Sequence, residues 1–578
     1  MPILEQPAPI WVIGQRDSEA EAILQRELGV PALVAGLLVQ RGFRDPADAE
    51  KFLNPRLDDF HPANLLPDYR PAADAILGAK ERGETVYVHG DYDVDGVTSA
   101  AMFTRFLRKI GINVIPHVPH RMKEGYGIHI NAVHWAKEHG ADLFLTCDCG
   151  ANAHEQLDAV RELGMRAVVT DHHELGNGVP DAVAVVNPHR DDSTYPYPHL
   201  SGVGVVFKLC AGITEELGHR KDVFYRAYLD LAVLGTVADV MPLTGENRII
   251  TKFGLENLRN TKKPGLRALL HVSDRAKEDT QLTPRCIGFQ LAPRINAVGR
   301  IDDAAVALEM LLSEDYDAAL DIARRLDTLN TERRLEQGRM FDEAVLAIEN
   351  EQLGNRNVIL VANPAWHPGI IGIVAGKIVE TYHRPAFVVA IGKDGVGKGS
   401  ARSIPGFHLA DALTAHRDVI LGGGGHELAA GFSLKEENIR KFADGLHEYA
   451  GEFLGPDDFA KKVRADLECE AEEGNRDAAK ALQAMAPYGQ DNPMPTLFCR
   501  DMEIVQVTPT SKPEHVRVTL SKNGRLVEAM GFGNGIELSE LPHNSHLDVA
   551  CELSLDYFNG REQFKWIIRD FRLTEPQG

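Results

Sequence analysis

The stretch ETVYVHGDYDVDG, residues Glu84–Gly96, places three alternating aspartates directly after a short apolar run. The run ETVYVH is typical of a buried strand, and VTSAAMFTRFLRKIG after it is typical of a helix. Like charges this close repel each other, so Asp91, Asp93 and Asp95 need water, a partner or a cation. The stretch therefore predicts either a solvated turn or a metal site at a strand end.

The pattern of a short apolar run followed by an amphipathic segment repeats from about residue 84 to about 240. This alternation predicts a parallel α/β sheet. A further apolar helix, FYRAYLDLAVLGTVADV, is predicted to end near Asp239. The other predicted strands are NVIPHV, ADLFLTC, RAVVT and AVAVVN.

The rest of the chain predicts a second α/β lobe and a small β-barrel. A Pro-free helical stretch of about 50 residues leads to the predicted strands NVILVA and AFVVAI and to the run GGGGHELAAG. After Pro487, five short strands with hairpin signals at Asn523-Gly524 and Asn559-Gly560 suit a barrel of the OB type. The predicted domains are an N-terminal helical extension at 1–83, a catalytic lobe at 84–300, a long connecting helix at 301–354, the second lobe at 355–458 and the OB-like domain at 459–578.

Composition limits the classes of function. The chain has 62 basic and 84 acidic residues, a net charge of −22, so nucleic-acid binding would need metals and a local concentration of arginine. Seven scattered cysteines argue against a disulfide framework. No apolar run approaches the ~20 residues of a membrane span, and the start MPILEQPAPI does not resemble a secretory signal. A cytoplasmic protein is predicted.

Three further groups of metal-binding side chains follow predicted apolar elements. Asp148 comes after ADLFLTC, the triplet Asp171–His173 comes after RAVVT, and Asp239 ends the apolar helix. The carboxyl ends of parallel strands meet at one edge of a sheet, so these groups should converge. Two divalent cations would neutralise such a cluster, and a mixed His/Asp set suits Mn²⁺ well, with Mg²⁺ as the alternative. The aspartate run lacks the glycine and glutamate spacing of an EF-hand loop. Cys147 and Cys149 have no second cysteine pair with which to bind zinc, so they are predicted to be buried thiols.

These motifs carry a resemblance. His89–Asp95, Asp148 in TCDCG, DHH at Asp171–His173 and Asp239 in VADV look like the four motifs of the DHH phosphoesterase superfamily. GGGGHELAAG is similar to the signature of the accompanying DHHA1 domain, and the order of domains resembles the RecJ family of bacterial 5′→3′ single-strand exonucleases. Further matching stretches are VPHRMKEGYGI at 118–128, SGVGVVFKL at 201–209 and LAPRINAVGR at 291–300. One departure is PYGQDNPMP, where Asp491 stands in place of a glycine of the family's turn.

The resemblance also implies roles for the clustered residues. Asp148 would bridge two metals, Asp91 would support the ligands, and His173 would contact the scissile phosphate. The implied ligands are His89, Asp93 and Asp148 for one metal, and Asp95, Asp148, His172 and Asp239 for the other.

Candidate substrate contacts come from both predicted lobes. Arginines can clamp a phosphate, and glycines let backbone N–H groups approach a ligand closely. A P-loop at Gly392–Lys398 is rejected, because Gly399 replaces the required Ser or Thr. The candidates are Arg121, Arg294, Asn296 and Arg300 in the first lobe, with Arg300 also placed in catalysis, and Ser400, Arg402, Gly424, Gly425 and His426 in the second.

The predicted barrel carries aromatic residues among cations, which suits stacking on single-stranded bases. The alternative, a hydrophobic core with alternating exposed charges, is favoured for any one aromatic residue. The residues concerned are Tyr557, Phe558, Phe564 and Trp566 with Arg561, Lys565 and Arg569.

The resemblance implies a metal-dependent 5′→3′ exonuclease that degrades single-stranded DNA to mononucleotides in repair and recombination. A small-substrate DHH phosphoesterase, acting on short oligonucleotides or cyclic dinucleotides, is the alternative enzyme, although the terminal extensions favour a longer substrate. A non-catalytic scaffold would predict eroded ligands, and the ligands are present. Single-stranded DNA is the expected partner, with a single-strand-binding protein and a helicase left open as docking partners.

Overall fold

The computed structural model describes residues 7–121, 124–125, 127–275, 281–301, 303–558 and 561–574. The chain forms two compact units. One unit consists of Met1–Val12 and Asn330–Arg464, and the other of Ile13–Leu329 and Ala465–Gly578. The predicted domain boundaries stay a prediction.

The N-terminal segment is largely helical, as predicted. Its helix α1 begins after Asp17, whose side chain accepts a hydrogen bond from the Ala20 N–H at 3.1 Å. Helices α1 to α3 pack into the core of the C-terminal barrel, whereas α4 packs into the core of the parallel-sheet lobe. The elements are β1 (Ile10–Ile13), α1 (Ser18–Leu28), α2 (Ala32–Gln40), α3 (Pro46–Leu53) and α4 (Tyr69–Arg82).

The predicted parallel sheet is confirmed. Its strand order is β3-β2-β4-β5-β6, and every neighbouring pair is parallel. The central strands are buried along most of their length, which explains their nearly continuous apolar sequences. The elements are β2 (Thr85–Gly90), α5 (Val94–Lys109), β3 (Asn113–His117), α6 (Ile130–Glu138), β4 (Leu143–Cys147), α7 (His154–Glu162), β5 (Arg166–Thr170) and β6 (Ala184–Val186).

A run of helices follows the sheet. The helical stretch predicted from residue 301 is divided at Ser313, because the Ser313 side chain accepts from the Asp315 N–H and Asp315 caps the next helix through the Ala318 N–H. A long helix of 35 residues then begins at Tyr316. The elements are α8 (Gly202–Glu216), α9 (Lys221–Ala238), α10 (Gly245–Arg259), α11 (Pro264–Val272), α12 (Pro284–Cys286), a π-helical turn (Ile287–Leu291), α13 (Ala292–Ile301), α14 (Ala305–Leu312) and α15 (Tyr316–Asn350).

Arg248 joins three segments of the second unit. Its guanidinium is buried and donates to the carbonyls of Phe52 at 2.6 Å, Met485 at 3.0 Å and Ala486 at 2.8 Å. It also lies over the Phe52 ring, with its central carbon 3.9 Å from the ring centre. Helix α10 is thereby bonded to both the N-terminal and the C-terminal segment.

The second lobe is built on a mixed sheet of order β10-β11-β9-β8-β7, in which only β7 and β8 run parallel. The four glycines Gly422–Gly425 form an edge strand paired with β11. Gly392–Gly395 forms the turn of a hairpin, consistent with rejection of a P-loop. The elements are β7 (Ile359–Asn363), α16 (Ile371–Tyr382), β8 (Ala386–Ile391), β9 (Val396–Arg402), α17 (Leu409–Ala415), β10 (Gly422–Gly425), β11 (Ala429–Lys435) and α18 (Ile439–Ala450).

The C-terminal region closes into the predicted barrel. The sheet order is β13-β14-β15-β16-β18-β17, and β14 also pairs with β17. Asn523 and Gly524 both have positive φ, at 53° and 78°, as a two-residue hairpin turn requires. Asn559-Gly560 lies outside the described residues. The elements are β12 (Lys462–Ala465), which pairs with β1, β13 (Leu467–Glu468), α19 (Arg476–Leu482), β14 (Leu497–Pro509), β15 (His515–Lys522), β16 (Arg525–Phe532), α20 (Gly535–Glu540), β17 (His546–Phe558) and β18 (Arg561–Leu573).

The barrel decides between the two interpretations of Trp566, in favour of the core. Trp566 is completely buried and its indole N–H donates to the Gly474 carbonyl at 2.8 Å, so it belongs to the core and cannot stack on bases. Phe564 is partly buried against the same core. The side chains of Tyr557, Phe558 and Arg561 lie outside the described part. At the departure from the family's turn, Asp491 adopts φ +55°, a left-handed conformation that glycine would otherwise supply.

Candidate metal centre

The loop GDYDVDG is compact because two glycines allow its backbone to fold against helix α5. A Cβ on Gly96 would overlap the backbone of Asp91, and one on Gly90 would lie 2.6 Å from the Gly96 carbonyl oxygen. Asp93 caps α5, its side chain accepting from the Gly96 N–H at 3.0 Å. The three aspartates therefore leave β2 at a fixed geometry, not as a solvated turn, and Asp91 and Asp95 are buried.

Asp95 is held by the N-terminus of helix α8. Its two carboxylate oxygens accept from the N–H groups of Gly202 at 2.6 Å and Val203 at 2.9 Å, where the helix dipole favours negative charge. Gly202 and Gly235 leave room for the carboxylates. A Cβ on Gly202 would lie 2.6 Å from Asp148 Oδ1, and one on Gly235 would overlap Asp95 Oδ1.

Asp148 follows β4 in a left-handed conformation, with φ +62°. Its N–H donates to the Thr170 carbonyl at 3.0 Å, which ties it to the end of β5. Non-glycine residues adopt this conformation at some energetic cost and are enriched at functional sites. The conformation holds a buried carboxylate at the strand-end edge.

The side chains predicted for the second metal converge on His172. Its Nε2 lies 3.1 Å from Asp148 Oδ1, 3.5 Å from Asp239 Oδ2 and 3.9 Å from Asp95 Oδ2. These residues come from the ends of β4, β5 and α9 and from the start of α5. Within the described part of the chain, they form two overlapping groups with ligand spacing, one of which includes His173.

The carboxylates of the cluster disfavour one another's charge. Burial and the charge of Asp93 raise the pKa of Asp91 to about 8 and that of Asp239 to about 7. The pKa values of Asp95 and Asp148 are also raised, first by burial, then by neighbouring carboxylates that include Asp93. Asp93 therefore lies within electrostatic reach of all four.

Both predicted histidine ligands are neutral. Burial lowers the pKa of His89 to about 3 and that of His172 to about 4. The Nε2 of His89 lies 3.1 Å from the Gly127 carbonyl oxygen, so Nε2 carries the proton and Nδ1 presents a lone pair. A second bond of this kind is typical of metal-binding histidines.

Four buried polar atoms of this cluster have no hydrogen-bond partner among the described residues: His89 Nδ1, Asp148 Oδ1 and His172 Nε2 of the predicted ligands, and Oδ1 of the neighbouring Asp91. Buried polar atoms are normally satisfied. Unprotonated nitrogens and carboxylate oxygens are the donors that Mn²⁺ and Mg²⁺ accept. The residues present therefore fit divalent cations.

Asp171 positions His173. It accepts from the backbone N–H groups of Ala151 and His172 and lies 2.7 Å from His173 Nδ1. Burial alone would lower the pKa of His173, but the Asp171 bond and charge outweigh it and raise the pKa to about 9. His173 is therefore a cation beside the cluster at neutral pH.

The predicted arginines lie in two different settings. Arg121 stacks on Tyr92, its central guanidinium carbon 4.9 Å from the ring centre. Burial raises the pKa of Tyr92, and the charges of Arg121 and Arg300 partly oppose this rise, so both guanidinium groups lie near the GDYDVDG loop. Met122, Lys123 and Tyr126 of VPHRMKEGYGI lie outside the described residues.

Arg294 is bonded elsewhere. Its Nε donates to Asp327 at 2.8 Å and its Nη1 to the Gln290 carbonyl at 2.6 Å. Asn296 is half-buried on the same helix, α13. The Arg294 side chain is therefore already bonded within the fold.

In the second lobe, Ser400 and Arg402 meet the first turn of α16. A Cβ on Gly372 would lie 2.9 Å from Ser400 Oγ and 3.3 Å from Arg402 Nη2. The free N–H groups of a helix N-terminus together with a guanidinium suit an anion. Gly424, Gly425 and His426 are exposed on and just after the edge strand β10.

Sequence reasoning missed Gly202, Val203 and Gly235, which support the ligands, and it named Asp171 without its role. The amides of Gly202 and Val203 bind Asp95, Gly235 makes room for it, and Asp171 orients His173. The stretch SGVGVVFKL contains the first pair, and its paired glycines were the available signal. The sequence around Gly372 carried no comparable signal of its closeness to Ser400 and Arg402.

The site and sheet are those of a DHH phosphoesterase, and family models match accordingly. The DHH family N-terminal domain matches residues 85–236, the DHHA1 domain residues 355–452 and the RecJ OB domain residues 465–570.

Whole-chain comparisons are more specific. The chain is 37% identical to the single-stranded-DNA-specific exonuclease RecJ of Bacillus subtilis over 98% of its length and 71% of that protein. It is 34% identical to RecJ of Salmonella typhimurium over 96% of its length and 98% of that protein. The crystal structure of Thermus thermophilus RecJ in complex with Mn²⁺ matches with a TM-score of 0.83 and 30% identity, covering 98% of this chain and 80% of that one. A Mg²⁺ complex of the same protein matches with a TM-score of 0.76 at 28% identity, covering 98% of this chain and 79% of that one. The chain belongs to the RecJ family of single-stranded-DNA-specific exonucleases.

A search of the helices among the described residues found none with the length and apolar character that crossing a membrane requires.

The raised carboxylate pKa values make metal binding depend on pH. Without metal, Asp239 and Asp91 in the folded state keep their protons up to about pH 7 and about pH 8, whereas in the unfolded state they lose them near pH 4. The free energy of unfolding therefore falls as the pH rises from about 4 towards these values. Cations displace these protons. We expect Mn²⁺ to raise the melting temperature, measured by calorimetry, more at about pH 8 than at about pH 6. For Asp239→Asn we expect this difference between the two pH values to be smaller. A stabilisation by Mn²⁺ that is the same at both pH values would contradict this.

Gly235→Ala should weaken metal binding without removing any ligand, because its Cβ would displace the Asp95 carboxylate. We expect Mn²⁺ affinity, measured by titration calorimetry, to fall about 10- to 100-fold. Gly376→Ala in α16 is the matched control, since its Cβ meets nothing within 4 Å. Equal affinities for the two variants would show that Asp95 tolerates the displacement.

Proposed function

We propose that this chain hydrolyses single-stranded DNA from its 5′ end and releases mononucleotides, using two divalent cations held at the strand-end cluster. The observation that carries the proposal is the set of four unpartnered, buried nitrogen and oxygen atoms at one edge of the sheet, three of which belong to predicted ligands. Membership of the RecJ family supports the choice of substrate.

His89, Asp93 and Asp148 would hold one cation, and Asp95, Asp148, His172 and Asp239 the other. When bound, such cations supply an activated water and offset the charge that develops on the leaving oxygen. The Asp148 carboxylate, with its unpartnered Oδ1 close to His172, suits a bridging position. Asp91 would lie beside the ligands without itself binding a cation.

The chain's own cations would bind the reacting phosphate. Asp171 lies against His173 Nδ1, so Nε2 is the atom that would donate to a phosphate oxygen. Its raised pKa keeps the imidazole positive at neutral pH, which strengthens such a bond. Arg121 and Arg300, near Tyr92, would contact the same or the neighbouring phosphate. Arg294 and Asn296 would act further along the strand.

The second lobe would select the 5′ end. Ser400, Arg402 and the N-terminus of α16 combine a hydroxyl, a guanidinium and helix N–H groups, the combination that binds a terminal phosphate. The exposed backbone of Gly424 and Gly425 and the His426 side chain would contact the adjoining nucleotide.

The cellular setting follows from the chemistry. All seven cysteines are buried, which suits a reducing cytoplasm. Digestion of single strands from one end serves DNA repair and recombination. A single-strand-binding protein and a helicase are the partners we would test for loading.

The first experiment uses a single-stranded oligonucleotide labelled at its 3′ end, with Mn²⁺. We expect a descending ladder that retains the label and no products from blunt duplex DNA, because cleavage proceeds from the unlabelled end. Products only from di- and trinucleotides would support a small-substrate phosphoesterase, and no cleavage at all would support a scaffold.

Asp148→Asn is the variant for the same assay. We expect cleavage to fall to the detection limit, because a neutral amide would replace the bridging carboxylate. Calorimetry should show that Mn²⁺ binding is lost as well. Thermal melting without metal checks that the variant folds. Substantial Mn²⁺-dependent turnover would reject the bridging role.

Arg402→Ala tests the 5′-phosphate contact. We expect the ratio of kcat/KM for 5′-phosphorylated over 5′-hydroxyl strands to fall about 10- to 100-fold, the value of a hydrogen bond to a charged group. Lys393→Ala, an exposed lysine in the β8–β9 turn, is the control of equal charge. An unchanged ratio would move the phosphate pocket elsewhere.

A further inference from the structure

Two adjacent cavities open on the parallel-sheet lobe where α5 and α10 end and α11 begins. Their volumes are about 730 and 770 Å³, and Asn260, Thr261 and Lys262 line both. Together they are lined by nine lysines and arginines and three carboxylates, with Lys262 counted once. In a chain of net charge −22, this is a local reversal of sign. We call this region the α10–α11 basic surface; its exposed cations include Arg108, Lys109, Arg226, Lys262 and Arg267.

Part of the positive charge is already used within the fold. Arg105 pairs with Glu314 at 2.7 Å, and Lys263 pairs with Asp230 at 2.7 Å. None of the described residues forms an ion pair with Arg108, Lys109 or Lys262. The surface therefore keeps an excess of positive charge after internal pairing.

Helix dipoles explain only some of these cations. Arg108 and Lys109 lie in the last turn of α5, where positive charge stabilises a helix. Lys262 and Lys263 instead precede the N-terminus of α11, and Arg267 follows in its second turn, with no acidic residue in the first turn. Cations at the positive end of a helix are unfavourable alone, and a bound anion would compensate for them.

The surface lies far from the metal centre. Asp95 is in the first turn of α5 and Arg108 in its last. Arg108 lies thirteen residues after Asp95 along the helix, which corresponds to about 20 Å. A phosphate at this surface is therefore not the phosphate being hydrolysed.

We propose that the α10–α11 basic surface is a second DNA-binding surface, which contacts the phosphodiester backbone of the substrate away from its reacting end. Two neighbouring cavities with arginine, lysine and asparagine side chains suit successive phosphates of one polyanion better than a single small anion. The backbone is that of the same single strand, beyond the nucleotides at the metal centre. The proposal rests on the proposed single-stranded DNA substrate.

The test compares two triple variants that change the net charge equally. The first, Arg108→Glu/Lys109→Glu/Lys262→Glu, reverses the surface; the second, Lys51→Glu/Lys137→Glu/Lys480→Glu, reverses three exposed lysines of the same unit elsewhere. Binding is measured by fluorescence anisotropy in EDTA, against salt concentration, with single strands of about 40 and about six nucleotides and a duplex of about 20 base pairs.

We expect the first variant to lose about 2 units of the slope of log K against log salt for the long strand, because each phosphate contact on a single strand contributes about 0.7. The six-nucleotide strand and the control variant should keep wild-type behaviour. A loss confined to the duplex would contradict the single strand as the occupant of the surface. An unchanged slope for both long ligands, or an equal loss in the control variant, would overturn the proposal.

Failure of the proposed function would be visible separately. Mn²⁺-dependent cleavage of the six-nucleotide strand is assayed with the wild type and both variants, and we expect equal rates. Absence of cleavage in the wild type would count against the exonuclease, whereas the binding slopes would still decide the role of the α10–α11 basic surface.

Discussion

Mutual repulsion between buried carboxylates is the constraint around which the catalytic lobe is built. Burial raises the pKa values of Asp91, Asp95, Asp148 and Asp239, and neighbouring carboxylates, with Asp93 common to all four, raise them further. No lysine or arginine pairs with any of them among the described residues. Without cations the cluster is favourable only when partly protonated, so metal binding and the folded geometry depend on each other.

Several features of the fold hold the cluster together despite this repulsion. The N-terminal amides of α8 stabilise the charge of Asp95. The left-handed backbone of Asp148 and the small residues Gly202 and Gly235 allow oxygens to approach one another at distances that larger residues would prevent. The left-handed conformation of Asp148 is unfavourable in an ordinary core and is typical of functional sites.

The sequence was sufficient where local pattern and topology agree. Buried parallel strands have continuous apolar sequences, and strand ends must meet at one edge, so Asp148 and His172 could be grouped before any coordinates. Asp239, at the end of helix α9, joined them through its motif. The barrel strands and the Asn523-Gly524 turn followed from alternation and turn chemistry. The roles assigned to individual site residues stay predictions.

The failures have a common cause, which is contact between residues distant in the chain. The packing of α1 to α3 on the barrel, and the bond from Arg294 to Asp327, join segments that no local pattern relates. The predicted continuous helix ends at α14 because the Ser313 and Asp315 side chains bond to backbone N–H groups and form a turn.

The distribution of charge follows from the same physics. A net charge of −22 would repel DNA if it were spread evenly, so attraction has to come from a few concentrated arrays and from bound cations. Contacts to phosphates alone carry no sequence information, and a strand held by them can move past without reading its bases. An exonuclease needs this property, because each cleavage shifts every remaining phosphate by one position. A distant basic surface that touches only the backbone can hold the strand through such shifts, whereas pockets for bases would have to release and rebind at every step.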